Sequence, residues 1–213
     1  MIIAIDGPAA AGKGTLARRL ADHFGYAYLD TGGLYRAVAL SLLRNDILPE
    51  DEAAAVHASA SLNMSVLNDP ALRHETTGTA ASKVAAMPKV RSNLLEFQRK
   101  FSAFPPDNKV GAVLDGRDIG TVVCPNADIK FFVTATAEER AHRRHAEIEA
   151  RGDSANYSEI LADVQARDAR DMGRKEAPLV AAEDAHLLDT TELDIDAVFL
   201  RAVTLVEEKL KPQ

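Results

Sequence analysis

The chain has 213 residues, of which 46% are hydrophobic and 27% are charged. This balance is typical of a globular protein and excludes a disordered chain, and the length indicates one domain with an appendage rather than two domains. The formal net charge of −7 argues against binding to nucleic acid or to an anionic membrane through a general positive field. Sixteen of the 25 basic residues are arginine, which makes bidentate contacts with phosphate, although a GC-rich genome would explain the same bias.

Cysteine content and hydropathy indicate the compartment. The single cysteine, Cys124, excludes a disulfide framework and fits a reducing environment. The longest stretch without Asp, Glu, Lys or Arg is 53–68, which is shorter than the roughly 20 apolar residues that cross a bilayer. We therefore expect a cytoplasmic protein without a membrane partner.

Short apolar runs alternate with helical patterns along the chain. Buried strands are predicted at 2–5, 26–29, 110–114, 129–133 and 186–188. A helix is expected to begin near Lys13, another to span 34–44, and a third to follow Asp194, whose side chain can cap it. Because strands separated by helices form parallel sheets, the pattern predicts an α/β fold with a five-stranded parallel sheet flanked by helices.

Two segments do not fit the sheet. Residues 46–88 are rich in Ala, Ser and Asn, show no clear strand, and can form a small insert. Residues 137–176 are highly charged and helical. This segment has eight Lys or Arg and ten Asp or Glu, so it is not basic overall. The sequence shows no repeats and no linker, so a single domain is expected over 1–213.

A glycine-rich segment joins the first predicted strand to the first predicted helix. In spacing and context it matches a phosphate-binding P-loop. Gly7 and Gly12 allow backbone N–H groups to form an anion nest, and Lys13 supplies positive charge for the β- and γ-phosphates. The predicted nucleotide-phosphate site consists of Gly7, Pro8, Ala9, Ala10, Ala11, Gly12, Lys13, Gly14 and Thr15.

One departure from the general P-loop pattern concerns Mg²⁺. That pattern places Ser or Thr directly after the lysine, whereas here Gly14 intervenes before Thr15. We therefore expect no direct protein ligand for the ion, which would be held by phosphates and water.

A P-loop alone fits an ATPase, a GTPase switch or a small-molecule kinase. The Asn108-Lys109 pair lacks the Asp of a guanine-reading motif, which argues against a GTPase. Two motifs follow predicted strands, at the sheet edge where parallel α/β folds bind ligands. They are Asp30-Thr31-Gly32-Gly33-Leu34-Tyr35-Arg36 and Asp115-Gly116-Arg117-Asp118. Either motif alone could also be a helix N-cap with surface charges.

Two arginine clusters lie in the charged segment. In the later cluster, Arg167, Arg170 and Arg174 share one face of the predicted helix, which favours phosphate contact. Asp171 stands four residues after Arg167, so an ordinary helix ion pair is the competing interpretation. The earlier cluster contains residues spaced for such pairs, as Glu139 is with Arg143, and we interpret it as surface ion pairs of Arg140, Arg143 and Arg144.

With these motifs in this order, the chain resembles the bacterial cytidylate kinases, a branch of the nucleoside monophosphate kinases among P-loop proteins. The resemblance covers nearly the whole length. Besides the P-loop, it rests on Asp30-Thr31-Gly32 with Tyr35-Arg36, on Ala80-Ala81-Ser82-Lys83-Val84-Ala85, on Asp115-Gly116-Arg117-Asp118-Ile119-Gly120-Thr121, and on 167–174.

The resemblance implies a P-loop kinase fold with a small monophosphate-binding insert at about 46–88 and a helical lid at about 137–176. It implies a phosphotransferase of pyrimidine nucleotide metabolism that transfers the γ-phosphoryl group of ATP to CMP or dCMP with Mg²⁺. These small-molecule nucleotides, rather than nucleic acid, are then the partners, and a monomer is expected.

Matching positions also imply roles for individual residues. The P-loop residues 7–15 would bind ATP, and the catalytic residues would be Lys13, Arg117 and Arg174. Cytosine would be read by Ser82, Arg91 and Asp118, and the ribose by Arg167 and Asp171. The acceptor phosphate would be bound by Thr31, Arg36, Arg117 and Arg174, and Tyr35 is the remaining CMP-site residue.

The insert departs from the longer family members, which carry additional strands there. Here 62–82 is short, so we expect those strands to be missing. Two alternative functions stay open: a related kinase whose acceptor is AMP or a small alcohol, and a nucleotide-binding regulatory module without acceptor chemistry.

Overall fold

A computed structural model describes residues 1–211 and has a five-stranded sheet at its centre. The strands are β1 (Ile2–Asp6), β2 (Ala27–Asp30), β3 (Ala112–Gly116), β4 (Ile129–Thr134) and β5 (His186–Asp189). Each pair of neighbours is parallel, and the order across the sheet is β2-β3-β1-β4-β5. The predicted five-stranded parallel sheet is therefore confirmed.

Helices connect the strands and form the two segments outside the sheet. They are α1 (Lys13–Phe24), α2 (Thr31–Arg44), α3 (Glu52–Ala60), α4 (Glu75–Val84), α5 (Pro88–Ala103), α6 (Ala137–Glu149), α7 (Tyr157–Met172) and α8 (Ile195–Leu210). Short 3₁₀ turns occupy Met64–Asn68 and Pro70–Arg73, and a π-helical turn occupies Ile119–Val123.

Helix starts follow the capping residues of the sequence. The Asp194 carboxylate accepts from the N–H of Ala197 at 2.7 Å and begins α8 as predicted. Helix α2 begins at Thr31, three residues before the predicted 34–44, because the Asp30 carboxylate caps it by accepting from the N–H of Gly33 at 2.9 Å.

The third strand begins two residues later than predicted. The register pairs Ile2 with Ala112, so the parallel ladder starts there and Val110 precedes it, 80% exposed. The shift extends β3 through Asp115 to Gly116, which places the acidic motif at the end of the strand itself.

Successive side chains of β1, the central strand, point to opposite faces of the sheet and so contribute to a core on each face. Ile3 and Ile5 of β1 pack with α1 and α8, whereas Ala4 packs with the π-helical turn and the apolar residues of β3. Helix α2 packs with α4 and α5 in a further apolar cluster outside the sheet. The sheet is thus covered on both faces, as an all-parallel sheet requires.

The segment 46–88 folds into α3, the two 3₁₀ turns and α4, without the additional strands of longer family members. The segment 137–176 contains α6 and α7, which pack against each other. Within residues 1–211, no helix is both long and apolar enough to cross a membrane.

The residue after β1 is a sensitive point of this packing. Gly7 has φ of 146°, and a Cβ added there would lie 1.9 Å from the carbonyl oxygen of Val133. We expect Gly7→Ala to lower the free energy of unfolding by about 2 kcal/mol or more, because the ends of β1 and β4 would have to separate. Urea unfolding followed by circular dichroism measures the loss.

Gly25→Ala is the matched control for this substitution. Gly25 also has positive φ, 66°, but a Cβ there meets open space. Its cost should be about 1 kcal/mol, from the left-handed backbone alone. Equal losses in the two variants would contradict the steric role of Gly7.

Candidate active site

One cleft lies at the carboxyl ends of the strands and has a volume of about 350 Å³. Its lining comes from the loop after β1, the ends of β2 and β3, the second 3₁₀ turn, and helices α1, α2, α4, α5, α6 and α7. Ten Lys or Arg residues and seven Asp or Glu line it, so its walls carry net positive charge in a chain whose total charge is −7.

This cleft brings together nearly all the residues that the sequence singled out. Residues 9–15 of the phosphate loop line it, whereas Gly7 and Pro8 of the same loop are buried and do not. The predicted acceptor residues in the lining are Thr31, Tyr35, Arg36, Ser82, Arg91, Arg117, Asp118, Arg167, Asp171 and Arg174. Residues from six separate elements therefore meet at one place.

The loop between β1 and α1 is shaped by left-handed backbone and by one lysine. Gly12, with φ of 86°, is the residue before α1, and Ala10 also has positive φ, 58°. The ammonium of Lys13 folds back and donates to the carbonyl of Pro8 at 2.7 Å. Burial, together with the charge of Arg117, lowers the pKa of Lys13 to about 7.

Two buried carboxylates stand at the ends of neighbouring strands. Asp6 accepts from the N–H groups of Ile119 and Gly120, both at 2.7 Å, and so fixes the π-helical turn after the Asp115-to-Asp118 motif. Asp115 lies within the cleft lining. Burial raises the pKa of each carboxyl to about 6, and at Asp115 the charge of Asp30 adds to the effect.

Asp171 is the centre of an arginine cluster. The Nε of Arg117 donates to its carboxylate at 2.9 Å, Arg174 donates to the other oxygen, and the Nε of Arg167 lies 4.0 Å away. The Ser82 hydroxyl of α4 donates to the same carboxylate at 3.4 Å. Although burial raises the pKa of Asp171, these guanidiniums outweigh it and hold the pKa below its usual value.

The arginines around Asp171 keep unused donors. In the described part of the chain, the Nε atoms of Arg167 and Arg174 are buried without a hydrogen-bond partner. Burial, with the charge of Arg117, lowers the pKa of Arg167 to about 10. Unpaired buried donors are uncommon in proteins, and here they lie in a lining suited to an anion.

Two further acid–base pairs line the cleft. Arg91 pairs with Asp118, with their side chains only 11% and 6% exposed, and the Arg91 guanidinium lies 5.6 Å from the centre of the Tyr35 ring. On α2, Arg36 pairs with Asp30 at 2.5 Å. Each pair offers both a donor and an acceptor to a ligand.

The earlier arginine cluster agrees only in part with its interpretation as helix ion pairs. Arg143 contacts Glu139 at 2.9 Å, as the spacing predicts. For Arg140 the interpretation is wrong, because its guanidinium pairs across to Asp168 of α7.

The third arginine of that cluster, Arg144, contacts Glu147 of its own helix and also Glu75 of α4. Spacing along one helix cannot reveal partners that another helix supplies, so no local signal marked either the Asp168 or the Glu75 contact. Within residues 1–211, no group of three or more His, Cys, Asp or Glu is arranged to hold a metal ion.

Comparisons with known proteins agree with this geometry. The family described as cytidylate kinase matches residues 3–208. The cytidylate kinase of Rhodopseudomonas palustris (strain BisB18) is 56% identical over 97% of this chain and 96% of its own length. That of Mesorhizobium japonicum (strain LMG 29417 / CECT 9101 / MAFF 303099) is 57% identical over 98% of this chain and 94% of its own.

Among solved structures, a sugar kinase from Janibacter sp. HTCC2649 has the same fold, with a TM-score of 0.50 and 13% identity over 97% of this chain and 94% of that one. Such a low identity supports the fold alone. The match at more than half identity over almost the entire chain goes further, and by it the chain belongs to the cytidylate kinase family.

Proposed function

We propose that this phosphotransferase transfers the γ-phosphoryl group of ATP to CMP and dCMP, giving ADP with CDP or dCDP. The observation that carries the proposal is the cleft itself, where a phosphate loop faces three guanidiniums gathered around Asp171. Two polyanions can approach one another only where such positive charge cancels their repulsion.

The donor half of the proposed site is the phosphate loop. Residues 7–15 would bind ATP through the backbone N–H groups of the residues other than Pro8 and through the N-terminus of α1, with the Lys13 ammonium on the β- and γ-phosphates. Among the described residues, the hydrogen bond of this ammonium goes to the neutral carbonyl of Pro8. A polyphosphate is a stronger partner and would raise the pKa of Lys13 back towards its ordinary value.

The acceptor half of the proposed site reads CMP by its separate groups. The Asp118 carboxylate would accept from the exocyclic N4 amino group of cytosine, which uracil lacks, while Arg91 and Ser82 donate to N3 and O2. Arg167 and Asp171 would bind the ribose. The acceptor phosphate would be held by Thr31, Arg36, Arg117 and Arg174, and Tyr35 would complete the CMP site.

Alignment and neutralisation supply most of the proposed catalysis. Lys13, Arg117 and Arg174 would balance the charge that develops during transfer, which needs little help from a protein base. The segment 137–176 would close as a lid over ATP and exclude water, and the insert 46–88 would close over CMP. The contact of Arg144 with Glu75 already joins these two segments.

Mg²⁺ fits this site as the cofactor of ATP, where it would neutralise phosphate charge. Asp115 and Asp118 would orient its water shell, with the phosphates as direct ligands. The raised pKa of Asp115 reflects burial and the nearby Asp30 carboxylate, so an added cation is favourable there. We also propose a cytoplasmic monomer that works in pyrimidine nucleotide metabolism.

The acceptor is tested by a panel of CMP, dCMP, UMP, AMP and shikimate in one coupled assay of ADP formation. We expect rapid turnover with CMP and dCMP and at least about tenfold lower kcat/KM with UMP, because uracil cannot donate to Asp118. Comparable turnover with AMP would overturn the cytosine assignment. ATP hydrolysis that is indifferent to every acceptor would instead favour a regulatory module.

The base-reading role is tested by Asp118→Asn. An amide can present a donor where the carboxylate only accepts, so the ratio of kcat/KM for CMP to that for UMP should fall about tenfold or more. Asp30→Asn is the matched control, since it disrupts a carboxylate–arginine pair near the proposed phosphate site and should slow both substrates equally. A CMP to UMP ratio that Asp118→Asn leaves unchanged would refute the role.

The counter-charge role is tested by Asp171→Asn. Removing this buried carboxylate leaves Arg117, Arg167 and Arg174 uncompensated, so the free energy of unfolding at pH 7 should fall by about 3 kcal/mol. Because the pKa of Asp171 is lowered in the folded protein, its contribution is present above about pH 4 and is lost as the pH falls further. The difference between wild type and variant should therefore narrow in acid.

The control for that measurement is Asp196→Asn, which breaks the ion pair between Asp196 and Arg19. The Asp196 side chain is 75% exposed. This substitution should change stability far less, because exposed pairs contribute little. Inorganic phosphate should also raise the Tm of Asp171→Asn more than that of wild type. Equal losses in Asp171→Asn and Asp196→Asn would contradict the counter-charge role.

A further inference from the structure

Arg140 lies behind the cleft and contacts three different elements. Its side chain is 5% exposed. Its Nε donates to the carbonyl of Ala135, after β4, at 2.9 Å, and its Nη1 donates to the carbonyl of Ala9 in the phosphate loop at 3.3 Å. Its Nη1 and Nη2 also donate to the two carboxylate oxygens of Asp168 on α7, at 3.1 and 2.5 Å. One guanidinium thus joins sheet, loop and helix.

The contact with Ala9 bears on the orientation of the loop. A trans peptide places its carbonyl oxygen and the next N–H on opposite sides. Ala9 and Ala10 line the cleft, whereas Arg140 does not. A guanidinium that holds the Ala9 carbonyl from behind therefore turns the N–H of Ala10 towards the cleft, where a phosphate would accept from it.

The contact with Asp168 bears on the orientation of α7. Asp168 follows Arg167 and precedes Asp171 by three residues, so it shares a helix with the arginine cluster at less than one turn. A bidentate pair with side chains 5% and 14% exposed fixes both the rotation and the position of that helix. The Arg140–Asp168 pair therefore also determines the directions in which Arg167 and Asp171 point.

We infer that Arg140 and Asp168 are positioning residues for phosphoryl transfer, and that their pair holds the phosphate loop and the arginines of α7 in register across the cleft. This inference rests on the proposed function, because it assigns the loop to one substrate and α7 to the other. Neither residue touches a substrate in this arrangement. Both act through Ala10 on the donor side and through the arginine cluster on the acceptor side.

The planar fork of arginine is essential to this arrangement. It serves Ala135, Ala9 and both oxygens of Asp168 at once, which a lysine ammonium, as a single point charge, cannot do. Arg140→Lys keeps the charge but loses the fork, and Asp168→Asn keeps the shape but loses one acceptor. The two substitutions therefore remove the alignment with the least change in volume.

The test measures kcat and KM for ATP and for CMP in Arg140→Lys, Asp168→Asn and Asp168→Glu. Calorimetry measures the binding of ATP alone and of CMP alone to the same variants. We expect kcat/KM for both substrates to fall by about 100-fold in Arg140→Lys and Asp168→Asn, since small displacements of aligned groups have effects of this size. ATP and CMP should each bind more weakly alone. Asp168→Glu should have a kcat/KM at least tenfold higher than that of Asp168→Asn. The double variant Arg140→Lys, Asp168→Asn should have a kcat/KM no lower than that of the less active single variant.

Arg19→Lys and Asp196→Asn are the matched controls, because they alter an Arg–Asp pair that joins α1 to α8 and does not line the cleft. Both should keep wild-type kinetics. Circular dichroism and Tm establish which variants are folded at the assay temperature.

Three results would overturn the inference. The first is wild-type kinetics in folded Arg140→Lys and Asp168→Asn. The second is a loss of kcat that follows the folded fraction, with both KM values and both binding constants unchanged. The third is that both variants are unfolded, which would make the pair a requirement of folding alone.

Failure of the proposed function can be told apart from all three. It would show in the wild-type protein, as absent turnover with CMP and dCMP. The affinity for ATP alone could still be measured in Arg140→Lys, in Asp168→Asn and in wild type, and it would report on the phosphate loop. Unweakened ATP binding in both folded variants would then count against the inference itself.

Discussion

The buried carboxylate of Asp171 holds together guanidiniums that would otherwise repel one another. Burial lowers the pKa values of both Lys13 and Arg167, and the charge of Arg117 lowers them further, which shows the repulsion among the cations of the cleft. By contacting Arg117 and Arg174 directly, Asp171 offsets that repulsion and also orients their side chains. Because Ser82 contacts the same carboxylate, the position of α4 is tied to this charge balance as well.

The parallel sheet explains why acidic groups occur inside a site for anions. Asp6, Asp30 and Asp115 lie at the carboxyl ends of three adjacent strands, and Asp30 and Asp115 line the cleft. Each is partnered by a group nearby: backbone N–H groups at Asp6, Arg36 at Asp30, and Tyr28 at Asp115. A net charge of −7 therefore describes the chain as a whole and says little about this cleft, whose lining carries more Lys and Arg than Asp and Glu.

The sequence predicts those parts of the fold that depend on local patterns. Apolar runs marked the strands, and Asp194 marked the start of α8 through its cap. The P-loop and the motifs at 30–36 and 115–118 could be placed near one another because parallel strands end at the same edge. Contacts between distant helices left no such pattern: Arg140 and Asp168 are 28 residues apart, and Arg144 and Glu75 are 69 apart. Side-chain spacing reports only neighbours on one helix.

Helix α7 connects the two halves of the proposed site because of how its residues are spaced. Asp168 faces Arg140 behind the cleft, and Asp171, less than one turn later, faces the arginines within it. A helix is stiff over so short a distance, so a rotation that displaced one carboxylate would displace the other. Asp168, which contacts Arg140, and Asp171, which contacts Arg117, therefore belong to one rigid part of α7. In this structure the proposed donor and acceptor sites are therefore held in register by packing within the protein itself.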